Sequence, residues 1–416
     1  MFEYSSRGRS PAGGTPRRSR RRPAVALLAL SLAFGGCATT ERLPAVPLSL
    51  ASSATPLEIA DARFYADTDV ARVSALATQA FYRSKASGVL DDKNGTHKER
   101  SFLAMSGGGD DGAYGAGMLV GWSQRGDRPQ FAVVTGVSTG ALSAPFVFLG
   151  PEYDEQLKRI YTETGAGDVF QPRSFMAAVA DDAMADSTPL RNKIASFLDA
   201  RMVQRIAEEY EKGRILLILT TNLDQGRSVI WNIGAIAASG HPRSRELIVD
   251  ILLASATVPG VFPPVMIGVN VDGRNYQEMH VDGGAVAQAF LYPPSFSLKA
   301  KMKELGVKNA KPVAYIIRNG RLYRPEENVQ RQTLKIAQQA ISTMTASSAV
   351  NDLYRMYLTT KRDGVQFNLA YIEDDFQLAY KGPFDKTYMN ALYEHGYEVG
   401  RAGYKWHKTP PGYQEE

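Results

Sequence analysis

Residues 102–140 decide the fold. They contain the segments Phe102-Leu103-Ala104-Met105-Ser106-Gly107-Gly108-Gly109-Asp110-Asp111-Gly112 and Phe131-Ala132-Val133-Val134-Thr135-Gly136-Val137-Ser138-Thr139-Gly140. Each segment runs from a short apolar stretch into a glycine-rich turn and then a helix-like stretch. Together the two segments have the length and layout of one βαβ unit. Because both turns follow parallel strands, we expect them at the same edge of the sheet. Neighbouring parallel strands lie about 4.8 Å apart. Backbone N–H groups of the first turn can then approach a hydroxyl on the second, a geometry that suits acyl transfer.

The second turn has the pattern GxSxG, which places Ser138 on a sharp turn with its hydroxyl projecting clear of the backbone. A simpler interpretation makes Ser138 the N-cap of the following helix. The three consecutive glycines one βαβ unit upstream, Gly107, Gly108 and Gly109, favour the interpretation of Ser138 as a nucleophile. Glycines leave backbone N–H groups free to point at a developing oxyanion, which stabilises the transition state by roughly 3 to 4 kcal/mol per donor.

The first turn also matches the dinucleotide-binding pattern GxGxxG. Asp110 and Asp111 argue against this function, because they would place negative charge where a helix N-terminus should attract a pyrophosphate. The acid that would bind the ribose, about twenty residues further on, is missing. We therefore do not expect nucleotide binding.

A serine nucleophile needs a base. The chain has five histidines, and none follows the serine in a persuasive Ser, Asp, His order: His97, His241, His280, His395 and His407. The segment Val281-Asp282-Gly283-Gly284 instead offers an acid at a strand end, so Asp282 is the candidate base. Asp282 could also be a turn former. His280 lies on the same strand face as Asp282 by the period of two and could serve a different triad, although a strand histidine is more often structural.

Four motifs in one order resemble the patatin-like phospholipase family over about residues 102–317: Ser106-Gly107-Gly108-Gly109, Gly136-Val137-Ser138-Thr139-Gly140, Ala254-Ser255-Ala256-Thr257-Val258-Pro259-Gly260-Val261-Phe262-Pro263-Pro264 and Asp282-Gly283-Gly284. The resemblance implies a three-layer α/β/α fold with a mainly parallel sheet. It also implies a Ser138–Asp282 dyad without histidine, and an oxyanion hole from Gly107, Gly108 and Gly109. The family hydrolyses acyl esters of phospholipids and related lipids, and the resemblance implies no metal or cofactor.

The chain departs from the family pattern at Asp111, where the glycine loop usually carries Arg or Lys. An acid cannot support the oxyanion by its charge. Three outcomes stay open: the N–H groups suffice, Asp111 pairs with a distant arginine such as Arg318, or activity is reduced.

The N-terminus has the outline of a bacterial export signal. Residues 1–36 carry seven arginines and one glutamate, so the rest of the chain has a net charge of −1 against +5 for the whole. The uncharged run 24–34 is shorter than the ~20 residues that span a bilayer. Cys37, the only cysteine, resembles the lipidated first residue of a lipoprotein, and Ala38 after it favours the outer membrane. A plain cleaved signal and an uncleaved anchor remain alternatives.

The chain of 416 residues with 44% hydrophobic content can bury a large core. We predict a lipoprotein-type signal peptide (1–36), a tether (37–58), a helical N-terminal extension (59–98) and a patatin-like α/β domain with a C-terminal helical part (99–416). Further strands are predicted at 214–220, 228–232, 278–281, 312–317 and 365–372. Helices are predicted at 57–84, 187–198, 203–211, 244–256 and 328–360. Late aromatic residues from Tyr388 to Trp406 have a helical spacing that favours core packing over a membrane-contact face.

These patterns predict a serine lipid acyl hydrolase of the phospholipase A or lysophospholipase type. Its expected partners are a phospholipid or other acyl-ester substrate and, through the anchor at Cys37, a membrane, with no nucleic acid. An esterase or acyltransferase with the same dyad is one alternative. A lipid-binding envelope protein whose catalysis has decayed is another, and Asp111 motivates it.

Overall fold

The computed structural model describes residues 42–88, 100–173, 183–308, 310–322 and 328–414. The predicted signal segment, Cys37 and His97 lie outside these residues. A compact unit spans Leu43–Glu416.

Nine of the described strands form one sheet in the order β1-β7-β6-β3-β2-β10-β11, to which β9 attaches through β6 and β8 through β9. The strands are β1 Arg63–Tyr65, β2 Ser101–Met105, β3 Val133–Val137, β4 Gln171–Pro172, β5 Ala185–Asp186, β6 Ile215–Asn222, β7 Arg227–Asn232, β8 Val265–Val271, β9 Arg274–Asp282, β10 Val313–Ile317 and β11 Gln366–Ala370. Strands β4 and β5 pair separately.

The described helices are α1 Val70–Ser87, α2 Gly112–Arg125, α3 Thr139–Leu149, α4 Asp154–Thr162, α5 Ala166–Val169, α6 Thr188–Phe197, α7 Ala200–Glu211, α8 Ile233–Ala238, α9 Ser244–Ala256, α10 Leu298–Glu304, α11 Thr333–Asp363 and α12 Lys386–Ala402. Short 3₁₀ turns occupy Leu48–Ser53, Pro56–Glu58, Gly109–Asp111, Pro151–Tyr153 and Gly283–Ala285. None of the helices in the described ranges is both long enough and apolar enough to cross a bilayer.

The sheet is mixed and mostly parallel, and helices cover both faces. Strands β6, β3, β2, β10 and β11 are parallel to one another. Side chains alternate along them: Leu103 and Met105 join the core cluster that contains α2 and α12, whereas Phe102 and Ala104 join the cluster with α11. Burial on both faces explains why these strands read as continuous apolar runs. The predicted three-layer α/β/α fold is confirmed.

Most predicted elements lie within a few residues of those observed, and α9 matches its prediction residue for residue. Helix α1 differs most, since it begins at Val70 and not near Leu57. A 3₁₀ turn at Pro56–Glu58 and strand β1 occupy the intervening residues. The late aromatics pack on the core as predicted: Tyr388 and Tyr393 are buried, and Tyr397, Tyr404 and Trp406 are half-buried against it. Their helical spacing holds only in part, because α12 ends at Ala402, before Tyr404 and Trp406.

Residues 43–58 do not form the tether that we predicted for 37–58. Val46, Ala51 and Ala54 are buried. The Gln277 N–H donates to the Pro44 carbonyl at 3.1 Å, and Thr55 exchanges two backbone hydrogen bonds with Asn270 at 3.0 and 2.9 Å. These residues pack on the β8–β9 hairpin, so their small apolar side chains are core residues although their composition resembles that of a linker.

The N-terminal extension is part of the central sheet. Strand β1 pairs with β7 in antiparallel register, and the Arg63 guanidinium forms a two-pronged ion pair with Glu278 on β9. Both side chains are buried. Burial disfavours the charged form of Glu278, but hydrogen bonds from His280 and Arg63 and the charge of Arg63 outweigh it and lower the Glu278 pKa to about 2. The extension is therefore more than the helical segment that we predicted.

Helices α2 and α12 pack at backbone contact distance. A Cβ on Gly117 of α2 would lie 2.0 Å from the Tyr393 carbonyl oxygen, and one on Gly400 of α12 would lie 2.1 Å from that of Met118. Because no real side chain tolerates such distances, these helices can cross here only with glycine at the contact. The start of α2 is thereby fixed against the C-terminal part of the chain.

We expect Arg63→Met to lower the free energy of unfolding by about 3–5 kcal/mol, because it leaves the buried Glu278 carboxylate without its cation. Urea unfolding followed by circular dichroism measures the change. Arg159→Met is the matched control, since Arg159 pairs with Glu163 on an exposed helix surface, where such a pair contributes about 0.3–0.5 kcal/mol. Equal effects of the two substitutions would contradict a structural role for the buried pair.

Candidate active site

The sheet brings the ends of two strands together along β6. Strand β3 ends at Val137, opposite Leu219, and β9 ends at Asp282, opposite the next residue, Thr220. Strand β7 occupies the other edge of β6 over this stretch, so β3 and β9 must share one edge and meet end to end. Ser138 and Asp282, at these two ends, therefore become neighbours although 144 residues separate them in the sequence.

Ser138 occupies a strained turn between β3 and α3. Its backbone has φ 54° and ψ −125°, which is uncommon for a residue with a side chain and typical of a nucleophile turn. The Ser138 N–H donates to the Ser255 hydroxyl at 3.0 Å, and that hydroxyl donates to the Leu219 carbonyl at 2.7 Å. The Ser138 side chain makes no N-cap hydrogen bond to α3, so the N-cap interpretation does not hold.

Asp282 is held by its backbone and is buried, with 5% of its surface exposed. Its N–H donates to the Thr257 carbonyl at 2.9 Å, and its carbonyl accepts from the Thr221 hydroxyl at 3.0 Å. The carboxylate accepts the Gly284 N–H at 2.7 Å, so Asp282 also shapes the turn. Burial raises the pKa of Asp282 to about 6, against the opposing influence of the nearby Ser138 side chain and of the hydrogen bond from the Gly284 N–H. An acid with this pKa can exchange a proton with Ser138 near neutral pH.

The glycine loop lies beside Ser138, but its three N–H groups are not equivalent. A Cβ on Gly107 would come within 3.2 Å of the Ser138 Cβ. However, the Gly107 N–H donates to the Gln288 carbonyl at 3.0 Å, so it is committed, contrary to our prediction for this residue. Within the described ranges, the N–H groups of Gly108 and Gly109 have no acceptor. These two remain the candidate oxyanion donors.

One partner of Asp111 is a tyrosine. The Tyr388 hydroxyl donates to Asp111 Oδ1 at 2.7 Å. Arg318, which the sequence suggested, directs its guanidinium to the Arg321 carbonyl at 3.1 and 2.8 Å. No sequence pattern indicated the tyrosine, because 277 positions separate it from Asp111.

His280 has a structural environment. Its Nδ1 lies 2.9 Å from the Thr220 hydroxyl and its Nε2 lies 3.1 Å from the Glu278 carboxylate. Because the Glu278 carboxylate can only accept, Nε2 carries a proton. Burial lowers the pKa of His280 and favours the neutral ring, in which Nδ1 then accepts from the Thr220 hydroxyl, so both ring nitrogens are in use. The same hydroxyl accepts from Trp231 Nε1–H at 2.7 Å. A triad through His280 is not supported.

Two contacts were missed from the sequence. Ser255, which fixes the Ser138 backbone, belongs to a motif that we quoted, so its position was visible but its role was not. Gln288, which accepts the Gly107 N–H, carries no sequence signal. The part of the chain that the structure describes contains no group of three or more His, Cys, Asp or Glu side chains that could hold a metal.

Comparison with known proteins finds one family model that matches. Residues 103–292, a little under half of the chain, match the model of the patatin-like phospholipases. This match supports lipid acyl hydrolase activity. No curated protein gives a significant match.

Two solved structures are similar at a low level. VipD from Legionella pneumophila is 11% identical with a TM-score of 0.37, and the similarity covers 75% of this chain and 69% of VipD. The type III effector protein ExoU is 12% identical with a TM-score of 0.20, covering 73% of this chain and 53% of ExoU. Both TM-scores are below 0.5, so these two similarities carry no argument about function.

We expect the reaction of Ser138 with a fluorophosphonate probe to depend on pH through Asp282. Asp282 can accept the serine proton only when it is ionised, and its raised pKa of about 6 means that the ionised fraction falls as the pH drops through that value. The labelling rate should fall about tenfold for each pH unit below about 6. Asp282→Asn should remove the inflection. An inflection near the ordinary aspartate pKa of 3.8 would argue against burial as the cause.

Proposed function

We propose that the protein is a serine lipid acyl hydrolase of the phospholipase A or lysophospholipase type, with Ser138 as nucleophile and Asp282 as base. The observation that carries the proposal is the meeting of the two residues at the end-to-end junction of β3 and β9 on β6. The raised Asp282 pKa of about 6 supports the same roles. The patatin-like domain match supports the lipid substrate.

The proposed first step forms an acyl-enzyme. Asp282 accepts the Ser138 proton while the serine Oγ attacks the ester carbonyl carbon. The N–H groups of Gly108 and Gly109 stabilise the oxyanion. As the tetrahedral intermediate collapses, the ester C–O bond breaks and Asp282 donates its proton to the leaving alcohol, which is the lysophospholipid or the glycerol head of the substrate.

The second step releases the fatty acid. Asp282 takes a proton from a water molecule, whose oxygen attacks the acyl carbon. The intermediate collapses with return of the proton to Ser138 Oγ. One base thus acts in both steps, and this requires that it regain its ionised form at the working pH, which a pKa of about 6 allows near neutrality.

We expect a fluorophosphonate probe to label the wild-type protein and not Ser138→Ala. Asp282→Asn should reduce labelling and release of fatty acid from a lysophospholipid by at least about 100-fold, with an unchanged circular dichroism spectrum. Ser143→Ala is the matched control, because Ser143 is a buried α3 serine that bonds to Thr139 and Tyr161. Full activity of Asp282→Asn would refute the dyad. A folded wild-type protein that is not labelled would favour a lipid-binding protein without catalysis.

We also propose that the chain is an envelope lipoprotein anchored through Cys37. The arginine-rich leader, the short apolar run and the single cysteine support this proposal. Expression of the full chain in a bacterium fed an alkyne-bearing fatty acid should label the wild-type protein, and Cys37→Ser should lose the label and leave the membrane fraction. Ser138→Ala, as control, should keep the label. Retention of the label in Cys37→Ser would disprove lipidation at this residue.

A further inference from the structure

The two acids of the glycine loop are bonded to a segment near the C-terminus, residues 380–388, which we call the C-terminal strap. The Phe384 N–H donates to Asp110 Oδ2 at 2.9 Å, and the Tyr388 hydroxyl donates to Asp111 Oδ1 at 2.7 Å. Two donors from one segment thus reach two consecutive carboxylates, next to the candidate oxyanion donors.

The strap is held firmly where it contacts the loop. Phe384 has φ 56°, a left-handed conformation that is costly for a bulky residue and persists only where surrounding contacts enforce it. Tyr388 is buried, and its backbone N–H is capped by the Asp385 carboxylate at 2.8 Å. Asp110 is itself 9% exposed, so its hydrogen bonds are shielded from water.

The strap continues directly into α12, and the loop continues directly into α2. These two helices are in backbone contact through their glycines, so the strap cannot shift along the loop without separating the helices. The opposite end of the loop is fixed as well, because Ser106 bonds to Asn319 at 2.8 Å and the Gly107 N–H bonds to Gln288. Gly108 and Gly109 lie between the two fixed ends.

We propose that Asp110 and Asp111 are positioning residues that, through Phe384 and Tyr388 of the strap, aim the Gly108 and Gly109 N–H groups at the oxyanion. The proposal rests on the proposed hydrolase function. In this proposal Asp111 is a hydrogen-bond acceptor that ties the glycine loop to Tyr388 of the strap. A cation at the same position would instead act on the oxyanion by its charge.

A different role for Asp111 makes the opposite prediction. If its negative charge merely opposed the oxyanion, removal of the charge would speed the reaction, and the Tyr388 hydroxyl would matter little. The positioning role predicts that loss of the hydrogen bond slows the reaction, whereas loss of the charge alone has little effect. Substitutions at the two ends of one hydrogen bond separate these cases.

The test measures two quantities on the full-length protein: the rate constant for labelling of Ser138 by a fluorophosphonate, and kcat and KM for a lysophospholipid. Tyr388→Phe and Asp111→Ala should each lower the labelling rate and kcat by about tenfold, since small misplacement of reacting groups has effects of this order or larger, with KM changed less than about twofold. The double variant should be no slower than Asp111→Ala alone, because that substitution already removes the bond that Tyr388→Phe breaks.

Two substitutions serve as controls. Asp111→Asn should stay within about threefold of wild type, because the amide oxygen still accepts the Tyr388 hydrogen bond. Tyr393→Phe should match wild type, since Tyr393 is a buried tyrosine of the same helix whose hydroxyl has no partner among the described residues. Thermal unfolding of every variant separates loss of activity from loss of fold. If Tyr388→Phe does not fold, the comparison of Asp111→Ala with Asp111→Asn decides.

Three results would overturn the proposal: Tyr388→Phe as active as Tyr393→Phe, a raised KM with unchanged kcat, or Asp111→Asn faster than wild type. Each of them leaves the hydrolase assignment intact, because Ser138 is still labelled in the wild-type protein. Absence of labelling in the folded wild-type protein would instead refute the proposed function, and the positioning role with it.

Discussion

Backbone segments approach one another at the carboxyl edge of the sheet to distances that exclude any side chain, and the candidate site depends on this closeness. A Cβ on Gly108 would lie 1.9 Å from the Asn319 carbonyl oxygen, one on Gly140 would lie 2.4 Å from that of Met105, and one on Gly283 would lie 2.5 Å from that of Leu219. Each contact joins one motif of the site to a neighbouring strand or loop. Glycine is therefore needed here to let the chain come close, and the loop, the serine turn and the Asp282 turn are held as one unit.

Strand β6 supplies the frame for this unit. It borders β3 along its first half and β9 along its second, so the ends of two strands with opposite directions face each other. Beneath this junction lies a buried chain of polar groups that runs from Trp231 through Thr220 and His280 to Glu278 and Arg63. Every donor in it meets an acceptor, which is the condition under which polar groups can be buried at acceptable cost. Because Arg63 lies on β1, the N-terminal segment contributes to the support of the candidate base.

Local signals in the sequence were sufficient for the fold class and for Ser138 and Asp282 as candidates, because both residues sit in turns whose glycines are contiguous with them. Helix α9 was predicted at its observed bounds for the same reason, since its pattern and its end lie within one stretch. Predictions that depended on distant partners were less successful. The Gly107 N–H meets a carbonyl 181 positions away, and residues 43–58 are buried only because the β8–β9 hairpin covers them. A linker-like composition does not show that another part of the chain covers the segment. A run of glycines likewise does not show which of its N–H groups is already hydrogen-bonded.

The contact between the C-terminal strap and the glycine loop has a consequence for the order of folding. Its two hydrogen bonds join residues that lie 274 and 277 positions apart, so they cannot form until a very long loop of chain has closed. Closure of such long loops is slow and comes after local structure. The βαβ unit of residues 101–137 can assemble early from neighbouring residues, whereas the geometry of its first turn is completed only when the C-terminal helix docks. An intermediate with an intact sheet and an undocked α12 would therefore possess the serine turn and still lack an ordered glycine loop.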